Sequence, residues 1–319
     1  MTTIANLILG LDIGGTKTVV LLGDSAGNVH VRQQFASPLH HGPQGMIEQI
    51  VAVAREISIG QQVAAVGVSI GGPMDSAAGV ILGPPHLPGW EHVPLKAMLE
   101  QQLGLPVYVE HDARTGALAE WHFGSGRLPE GGHVSDLIFL TLGTGIGAGI
   151  ITGGRLLHGK SWRTAEAGHW RVAEDGPLVF GKRGGWESYC SGAGIAALAA
   201  ERFPARFRSV SVPELATLAR SGDADAQTVF AESAAKLGYG IALLCDLFVP
   251  DVVALGALGV RLTDLLLPTA QAVVERETLP HVAAHTRIVP AALGERIGDV
   301  AALCAALQHS EGWMLQAHN

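Results

Sequence analysis

The sequence predicts an α/β protein built from two similar domains, and three observations lead to this prediction. At 319 residues the chain is long enough for two domains of ordinary size. Short apolar strands alternate with helical stretches, which is typical of a mixed α/β sheet. A strand, a Gly/Thr-rich turn and a second β-branched run occur at 7–22 and again at 137–152. This internal repeat indicates duplicated domains that face one ligand.

The first half of the chain shows the elements in order. Residues 28–32 alternate in polarity and predict an antiparallel strand after two earlier strand candidates. The short apolar runs 63–68 and 106–109 predict buried strands. Helical stretches near 44–58 and 94–103 precede these two strands.

The domain boundary is expected near residue 117. Residues 1–117 together with 297–319 would then form a small N-terminal α/β domain, and residues 118–296 a larger C-terminal one. The stretch 297–308 is expected to be a closing helix that packs back on the first domain.

Composition excludes several classes of protein. Hydrophobic residues make up 48% and charged residues 16%, so long disordered tracts are excluded. A net charge of −8 argues against a nucleic-acid partner. The most apolar stretch, 238–260, is interrupted by Asp246, Pro250 and Asp251, so no membrane span is expected. Three scattered cysteines and the lack of a leader pattern indicate a cytoplasmic protein.

Glycine is unusually frequent, with 42 residues, and it concentrates in two turns. Glycine-rich hairpins can bring several backbone N–H groups against one phosphate, because no side chain prevents close approach. Asp12, at the end of the first strand, can hold hydrated Mg²⁺. The alternative is a pair of ordinary tight hairpins. The candidate phosphate-binding residues are Asp12, Gly14, Gly15, Thr16 and Lys17 in the first hairpin, and Thr141, Gly143, Thr144, Gly145 and Gly147 in the second.

Residues 143–148 also fit the G-x-G-x-x-G/A pattern of dinucleotide-binding folds. That pattern requires a helix to begin within it. Here residues 149–152 continue as a strand and reach a Gly153-Gly154 turn, so a site of the NAD type is not expected. No P-loop string is present.

Two further groups of residues have side chains that can act in catalysis or in binding a polar ligand. Asp112 follows a strand and precedes the helical stretch 113–123, where a carboxylate can take a proton from a substrate hydroxyl. The alternative is that Asp112 only caps this helix. Glu166, His169 and Glu187 lie in a glycine-rich stretch and can bond several hydroxyls of a polar ligand, although loops commonly carry such residues.

Taken together, these strings resemble the ROK family of bacterial sugar kinases over essentially the whole chain. Two of the strings, 12–17 and 142–149, are similar to the two phosphate motifs of the family. Gly72-Pro73 is similar to part of its P-G-P loop, and residues 250–259 are similar to its adenosine motif. Residues 109–113 are similar to its E-N-D-A motif, and residues 165–169 are similar to A-G-E-x-G-H. The resemblance implies the two-domain actin-like ATPase fold, with duplicated ribonuclease H-like domains and the active-site cleft between them. It also implies ATP and Mg²⁺ as cofactors and a homodimer or homotetramer.

The same resemblance implies roles for individual residues. Asp112 would be the catalytic base, and Gly256 would contact the nucleotide. The sugar would be oriented by Gly72, His111, Asp112, Glu166, His169 and Glu187. The implied reaction is ATP-dependent phosphorylation of a hexose or hexosamine hydroxyl, at position 6. Two alternatives remain: a sugar-responsive repressor, for which no helix-turn-helix fits ahead of the first strand, and a catalytically silent sugar-binding protein.

The chain departs from the family pattern at several positions. The thiolates of the family's structural zinc site are replaced by Leu178, Phe180 and Gly185, so no structural zinc is expected. We expect Leu178 and Phe180 to form an apolar plug that orders this loop instead. Further departures are His111 and His86, which stand where asparagine is common, the atypical Arg114, and Ala257, where a second glycine usually follows Gly256.

Overall fold

The computed structural model describes residues 7–160 and 164–310, and its strands and helices alternate along the chain. The strands are β1 (Leu7–Ile13), β2 (Lys17–Gly23), β3 (Val29–Ala36), β4 (Val63–Ile70), β5 (Met74–Asp75), β6 (Val80–Leu82), β7 (Glu91–Val93), β8 (Val107–His111), β9 (Leu137–Leu142), β10 (Ile146–Thr152), β11 (Arg155–Leu156), β12 (Val252–Ala257) and β13 (Arg287–Pro290). The α-helices are α1 (Gly42–Ile57), α2 (Leu95–Leu103), α3 (Asp112–Phe123), α4 (Trp186–Cys190), α5 (Gly192–Arg202), α6 (Pro204–Phe207), α7 (Val212–Arg220), α8 (Ala224–Phe248), α9 (Leu258–Arg261), α10 (Thr263–Glu277), α11 (Pro280–His285) and α12 (Ile297–Leu307).

Two five-stranded sheets share one topology. The first has the order β3-β2-β1-β4-β8 and the second the order β11-β10-β9-β12-β13. In each, an antiparallel hairpin (β1–β2 or β9–β10) continues into strands that run parallel to its first member. The predicted internal repeat is therefore confirmed, as are the predicted strands, which appear as β3, β4 and β8. A smaller antiparallel sheet, β5-β6-β7, follows β4.

Each large sheet has its own hydrophobic core. The first core is formed with α1 and α2, close to the predicted helical stretches, and α1 buries one apolar side that includes Met46, Ile50 and Ala54. The second core is formed largely with α8 and α10. Helix α8 is long and apolar enough by composition to cross a membrane, but 61% of its apolar window is buried inside the protein. We therefore interpret α8 as a core helix.

Two helices, α3 and α12, lie between the two large sheets and pack on each other. Helix α12, from the end of the chain, lies on β1 and β4 of the first sheet, as predicted for the closing helix. Helix α3 lies on β9 and β10 of the second sheet and also packs on α12. Glycines permit both approaches: a Cβ on Gly67 would lie 2.1 Å from the Ala302 carbonyl oxygen, and one on Gly149 would lie 2.1 Å from that of Ala113. The predicted boundary near residue 117 falls within α3 and stays a prediction.

A pair of stacked histidines makes the stability of this region sensitive to pH. The rings of His122 and His133 lie 5.0 Å apart, and burial, together with the charge that His133 would carry, lowers the pKa of His122 to about 4. Unfolded histidine takes up its proton near pH 6.5, so between these values the unfolded chain binds more protons. Stability therefore falls as the pH falls from 6.5 towards 4.

We expect His122→Gln to reduce the loss of unfolding free energy between pH 7 and pH 5 by about 1–2 kcal/mol. Urea unfolding at the two pH values measures this difference. The matched control is His281→Gln on the exposed side of α11, which should leave the pH dependence of the wild type unchanged. An equal slope in His122→Gln and the wild type would contradict the assignment.

Candidate active site

The first glycine-rich turn connects β1 to β2 and is tied to the loop that contains His86. The Gly14 N–H donates to the Lys17 carbonyl at 3.1 Å, and the Ser37 hydroxyl donates to the Gly14 carbonyl at 2.5 Å. A Cβ on Gly15 would lie 2.3 Å from the His86 carbonyl oxygen, so the loop lies where a side chain would be. Thr16 and Lys17 are exposed at the tip of the turn, where they can reach a ligand.

Asp12 lies at the end of β1, next to this turn. The pKa of Asp12 is raised to about 6, first by burial and then by the nearby carboxylates of Asp112 and Asp299, against the opposing charges of Lys17 and Arg32. A carboxylate that is costly to ionise alone is well suited to a hydrated cation, which would offset that cost. The residues present therefore fit the predicted Mg²⁺ site.

Gly298, in the first turn of α12, leaves the space that the Asp12 carboxylate occupies. A Cβ on Gly298 would lie 2.6 Å from Asp12 Oδ2. In the same turn, Asp299 accepts a 2.8 Å hydrogen bond from Arg32 Nε on β3. No local pattern in the sequence indicates that Gly298 and Asp12, so far apart in the chain, lie in contact.

The second glycine-rich turn connects β9 to β10. The Gly143 N–H donates to the Gly145 carbonyl at 3.0 Å, and the Gly192 N–H donates to the Gly143 carbonyl at 2.8 Å. Strand β10 begins at Ile146 and turns through Gly153-Gly154 into β11, so no helix starts within this glycine pattern. The predicted strand is confirmed, and this string lacks the helix that a dinucleotide-binding fingerprint requires.

Gly256 and Ala257 end β12 beside this second turn. In the parallel register, Gly256 pairs with Thr141 of β9, and a Cβ on Gly256 would lie 2.6 Å from the Phe139 ring. Ala257 has a φ of +50°, a conformation that an L residue adopts at a cost. The usual glycine at position 257 would adopt it without strain, so this departure has a structural consequence.

Asp112 is the first residue of α3, directly after β8, and its side chain is 45% exposed. The helix N-cap is His111, whose Nδ1 accepts the Ala113 N–H at 3.2 Å. Asp112 Oδ1 accepts the same N–H at 2.6 Å and lies 3.1 Å from His111 Nδ1. The N-cap position belongs to His111, but Asp112 also bonds an N–H of the first turn, so the capping alternative for Asp112 stays open. This leaves Asp112 Oδ2 without a hydrogen bond among the described residues.

Two histidine rings bring the Gly71-Gly72 loop, Asp112 and the second hairpin together. A Cβ on Gly71 would lie 2.5 Å from His86 Cε1, and one on Gly72 would lie 2.8 Å from His111 Cδ2. The other edge of His111 faces β10, since a Cβ on Gly147 would lie 3.5 Å from its Cε1. Burial lowers the pKa of His86. The predicted residues of both halves of the chain therefore converge here.

Glu187 and His169 meet beside the second hairpin, and Glu166 is more peripheral. Glu187 is buried, its Oε2 accepts the Ile146 N–H at 3.3 Å, and its Oε1 lies 3.5 Å from His169 Nε2. His169 is about half exposed. Glu166 is exposed, and it accepts a 3.4 Å hydrogen bond from the Thr164 hydroxyl. Glu187 and His169 thus form a polar wall at the second hairpin.

The predicted apolar plug of Leu178 and Phe180 is wrong. These side chains are 58% and 45% exposed, so they do not fill the interior of the loop. The loop is held instead by donors that satisfy its main-chain carbonyls, which an apolar side chain cannot do. Arg171 donates to the carbonyls of residues 174 and 183, Arg183 to that of 176, Tyr189 to that of 175, and Lys182 to that of His169.

The absence of structural zinc stays a prediction. Within residues 7–160 and 164–310, no group of three or more His, Cys, Asp or Glu side chains is arranged to hold a metal ion. We expect elemental analysis of protein purified without chelators to detect no stoichiometric zinc, because thiolate ligands are lacking at 178, 180 and 185. One tightly held zinc per chain would contradict this.

A buried ion pair lies close to Asp112 and was not predicted from the sequence. Glu110 and Arg114 are 3% and 1% exposed, and Arg114 Nη2 lies 3.1 Å from Glu110 Oε2. Glu110 Oε1 accepts the His111 N–H at 2.7 Å, and His158 Nε2 lies 3.8 Å from Oε2 beside a cavity of about 210 Å³. No helical spacing indicates this pair, because Glu110 lies on β8 and Arg114 on α3.

Comparison with known proteins places this geometry in context. The family model described as "ROK family" matches residues 8–309. A ROK family glucokinase from Streptomyces griseus, solved with glucose and AMPPNP, is 34% identical, with a TM-score of 0.79 over 93% of this chain and 98% of that one.

Two further relatives differ in function from each other. An N-acetylmannosamine kinase from Shigella boydii is 33% identical over 76% of this chain and 78% of its own length. A putative xylose repressor from Caldicellulosiruptor sp. is 28% identical over 91% of this chain and 75% of its own length. The proteins similar to this chain thus include both sugar kinases and a regulator.

Proposed function

Because the chain belongs to the ROK family and has the actin-like ATPase fold, we propose that it transfers the γ-phosphoryl group of ATP to a hexose or hexosamine hydroxyl at position 6. The observation that carries the proposal is the position of Asp112. Its half-exposed carboxylate lies at the end of β8, next to residues that contact both glycine-rich hairpins. A binding protein does not require a base at that point.

The two hairpins would bind the phosphates of ATP. Phosphoryl transfer depends mainly on positioning and on stabilising charge, which backbone N–H groups of glycine turns can provide. Asp12 would hold Mg²⁺ through water, and the bound cation would offset the negative charge of the phosphates. Lys17, exposed at the first turn, adds a positive charge on the same side.

The sugar would lie between the Gly72 loop and the wall formed by Glu187 and His169. Glu166, His169, Glu187 and His111 supply acceptors and donors for its hydroxyls. Asp112 Oδ2 would accept the proton of the attacking hydroxyl as its oxygen bonds to the γ-phosphorus and the bond to ADP breaks. Burial of Glu187 favours strong, direct hydrogen bonds to the sugar over bonds to water.

A sugar panel tests the proposal. Purified protein is incubated with MgATP and each of glucose, mannose, N-acetylglucosamine, N-acetylmannosamine and xylose, and both ADP and sugar phosphate are measured. Stoichiometric formation of a 6-phosphate from one of the hexoses or hexosamines is expected. Sugar binding in calorimetry without any phosphorylated product would contradict the proposal and favour a silent or regulatory protein. Size measurement by light scattering tests the proposed homodimer or homotetramer separately.

Gly298→Ala is expected to separate stability from activity. Alanine favours the helix by up to about 1 kcal/mol relative to glycine, so thermal stability should not fall by more than a little. The new Cβ, however, would lie 2.6 Å from Asp12 Oδ2 and must displace that carboxylate. We expect kcat with MgATP to fall roughly tenfold or more, because displacement of a positioning group by 1 Å can cost about 100-fold. Steady-state kinetics and a melting curve on one preparation measure both effects, and unchanged kcat would contradict the role given to Asp12.

A further inference from the structure

The Nδ1 atom of His111 lies in two hydrogen-bonding positions that require opposite protonation states. It lies 3.2 Å from the Ala113 N–H, which it can accept only with a free lone pair. It also lies 3.1 Å from Asp112 Oδ1, to which it can donate only when Nδ1 carries a proton. The charge on this ring therefore decides whether Asp112 has a cationic partner.

The ring is confined, so it cannot avoid this choice by turning away. His111 has only 12% of its side chain exposed. One edge lies against Gly72 and the other against Gly147, where a Cβ would lie 2.8 Å and 3.5 Å from ring carbons. Its Nε2 is on the Gly72 edge, since the same Cβ on Gly72 would lie 3.2 Å from it.

Several titratable groups surround the ring. Asp112 and Glu110 flank it in the chain, and Glu110 accepts its backbone N–H. His86 packs against the neighbouring Gly71. A positive charge on His111 lowers the pKa of His86, so the two rings disfavour each other's protonation. Arg114 pairs with Glu110 behind the strand, and Asp12 interacts electrostatically with Asp112 from β1.

We propose that His111 is a positioning residue that controls the basicity of Asp112, an inference that rests on the proposed function. With a neutral ring whose proton is on Nε2, Nδ1 caps α3, Nε2–H can donate to a substrate hydroxyl, and Asp112 is free to accept the hydroxyl proton. With a protonated ring, Nδ1–H donates to Asp112 Oδ1 in a charge-assisted bond. A carboxylate beside a cation binds a proton less tightly, so Asp112 becomes a poorer base.

The variant His111→Asn gives a matched comparison. The amide oxygen of asparagine can still cap α3 by accepting the Ala113 N–H, and asparagine is a good N-cap residue. It cannot take up a proton in this pH range. Asn therefore keeps the structural role of His111 and removes only its change of charge.

The experiment measures kcat/KM for the sugar from pH 5.5 to 8 at saturating MgATP, in the wild type and His111→Asn. Histidine changes charge within this interval. Asp12, whose pKa is raised to about 6, affects both profiles, so the ratio of wild type to variant is the quantity to compare. We expect this ratio to fall at least fivefold from pH 8 to pH 5.5. A constant ratio would overturn the proposal, as would an equal fall in the ratio of wild type to His86→Asn.

A second measurement does not depend on activity. In ¹⁵N-labelled protein, the Ala113 amide resonance should shift between pH 8 and pH 5.5 in the wild type and stay nearly constant in His111→Asn, because only in the former does the N–H lose one of its two acceptors, His111 Nδ1, and keep Asp112 Oδ1 alone. If the sugar panel yields no product but this shift appears, the proposed function fails while the exchange of partners at Nδ1 stands. A wild-type resonance that does not respond to pH would overturn the inference directly.

Discussion

Asp112→Asn is expected to lower kcat by a factor of about 10²–10⁴, the range for loss of a general base. Asparagine has almost the same shape, and its amide oxygen can still accept the Ala113 N–H that Asp112 Oδ1 accepts at 2.6 Å. It cannot take the proton of the attacking hydroxyl. Sugar affinity measured by calorimetry should change little, so the loss should appear in kcat and hardly in binding.

The control for this substitution is Asp264→Asn. Asp264 lies on α10 and pairs with Arg220 at the surface, so the same chemical change there should leave kcat within twofold of the wild type. Undiminished turnover in Asp112→Asn would remove Asp112 from the role of base. The proposed phosphorylation would then require another proton acceptor.

Arg114→Met is expected to destabilise the fold by about 3–5 kcal/mol, because it leaves Glu110 buried and without its ion-pair partner. Burial raises the pKa of Glu110, while Arg114 holds it down. Removing Arg114 therefore favours the protonated, neutral form of Glu110. The difference in unfolding free energy between the variant and the wild type should shrink as the pH falls from 7 to 5, which urea unfolding can measure.

The double variant Glu110→Gln/Arg114→Met distinguishes an unpaired charge from lost packing. Glutamine has no charge, and its amide oxygen can still accept the His111 N–H. We expect the double variant to recover most of the lost stability, since replacing both members of a buried pair is often nearly neutral. Arg202→Met breaks the exposed pair with Glu232 and should cost less than about 1 kcal/mol. Equal losses for Arg114→Met and Arg202→Met would contradict this interpretation.

Local patterns in the sequence predicted the parts of the fold and site that depend on neighbouring residues. The hairpins around Gly14 and Gly143 could be identified because strand, turn and strand are consecutive in the chain. Asp112 could be placed at a strand end for the same reason. The convergence of these segments follows from the shared topology of the two sheets, which the internal repeat already indicated.

The features that were missed or mistaken depend on contacts between distant segments or on unpaired backbone groups. Gly298 meets Asp12 only because α12 packs on the first sheet. Leu178 and Phe180 were expected inside their loop for their hydrophobicity, but that loop exposes carbonyls that require donors, which Arg171 and Arg183 supply. The strain at Ala257 depends on a backbone angle, which a single residue type does not reveal.

The packing of α12 on the first sheet has a consequence for folding during translation. Residues 297–307 leave the ribosome after all strands of the second sheet have been made. The second sheet can receive α3 early, because α3 precedes it in the chain, whereas β1 and β4 lack the helix that covers them until residues 297–307 have been made. Domains often complete folding in order from the N-terminus. Here the first sheet is synthesised before α12, and the nascent chain exposes the apolar surface around Gly67 until α12 can pack on it.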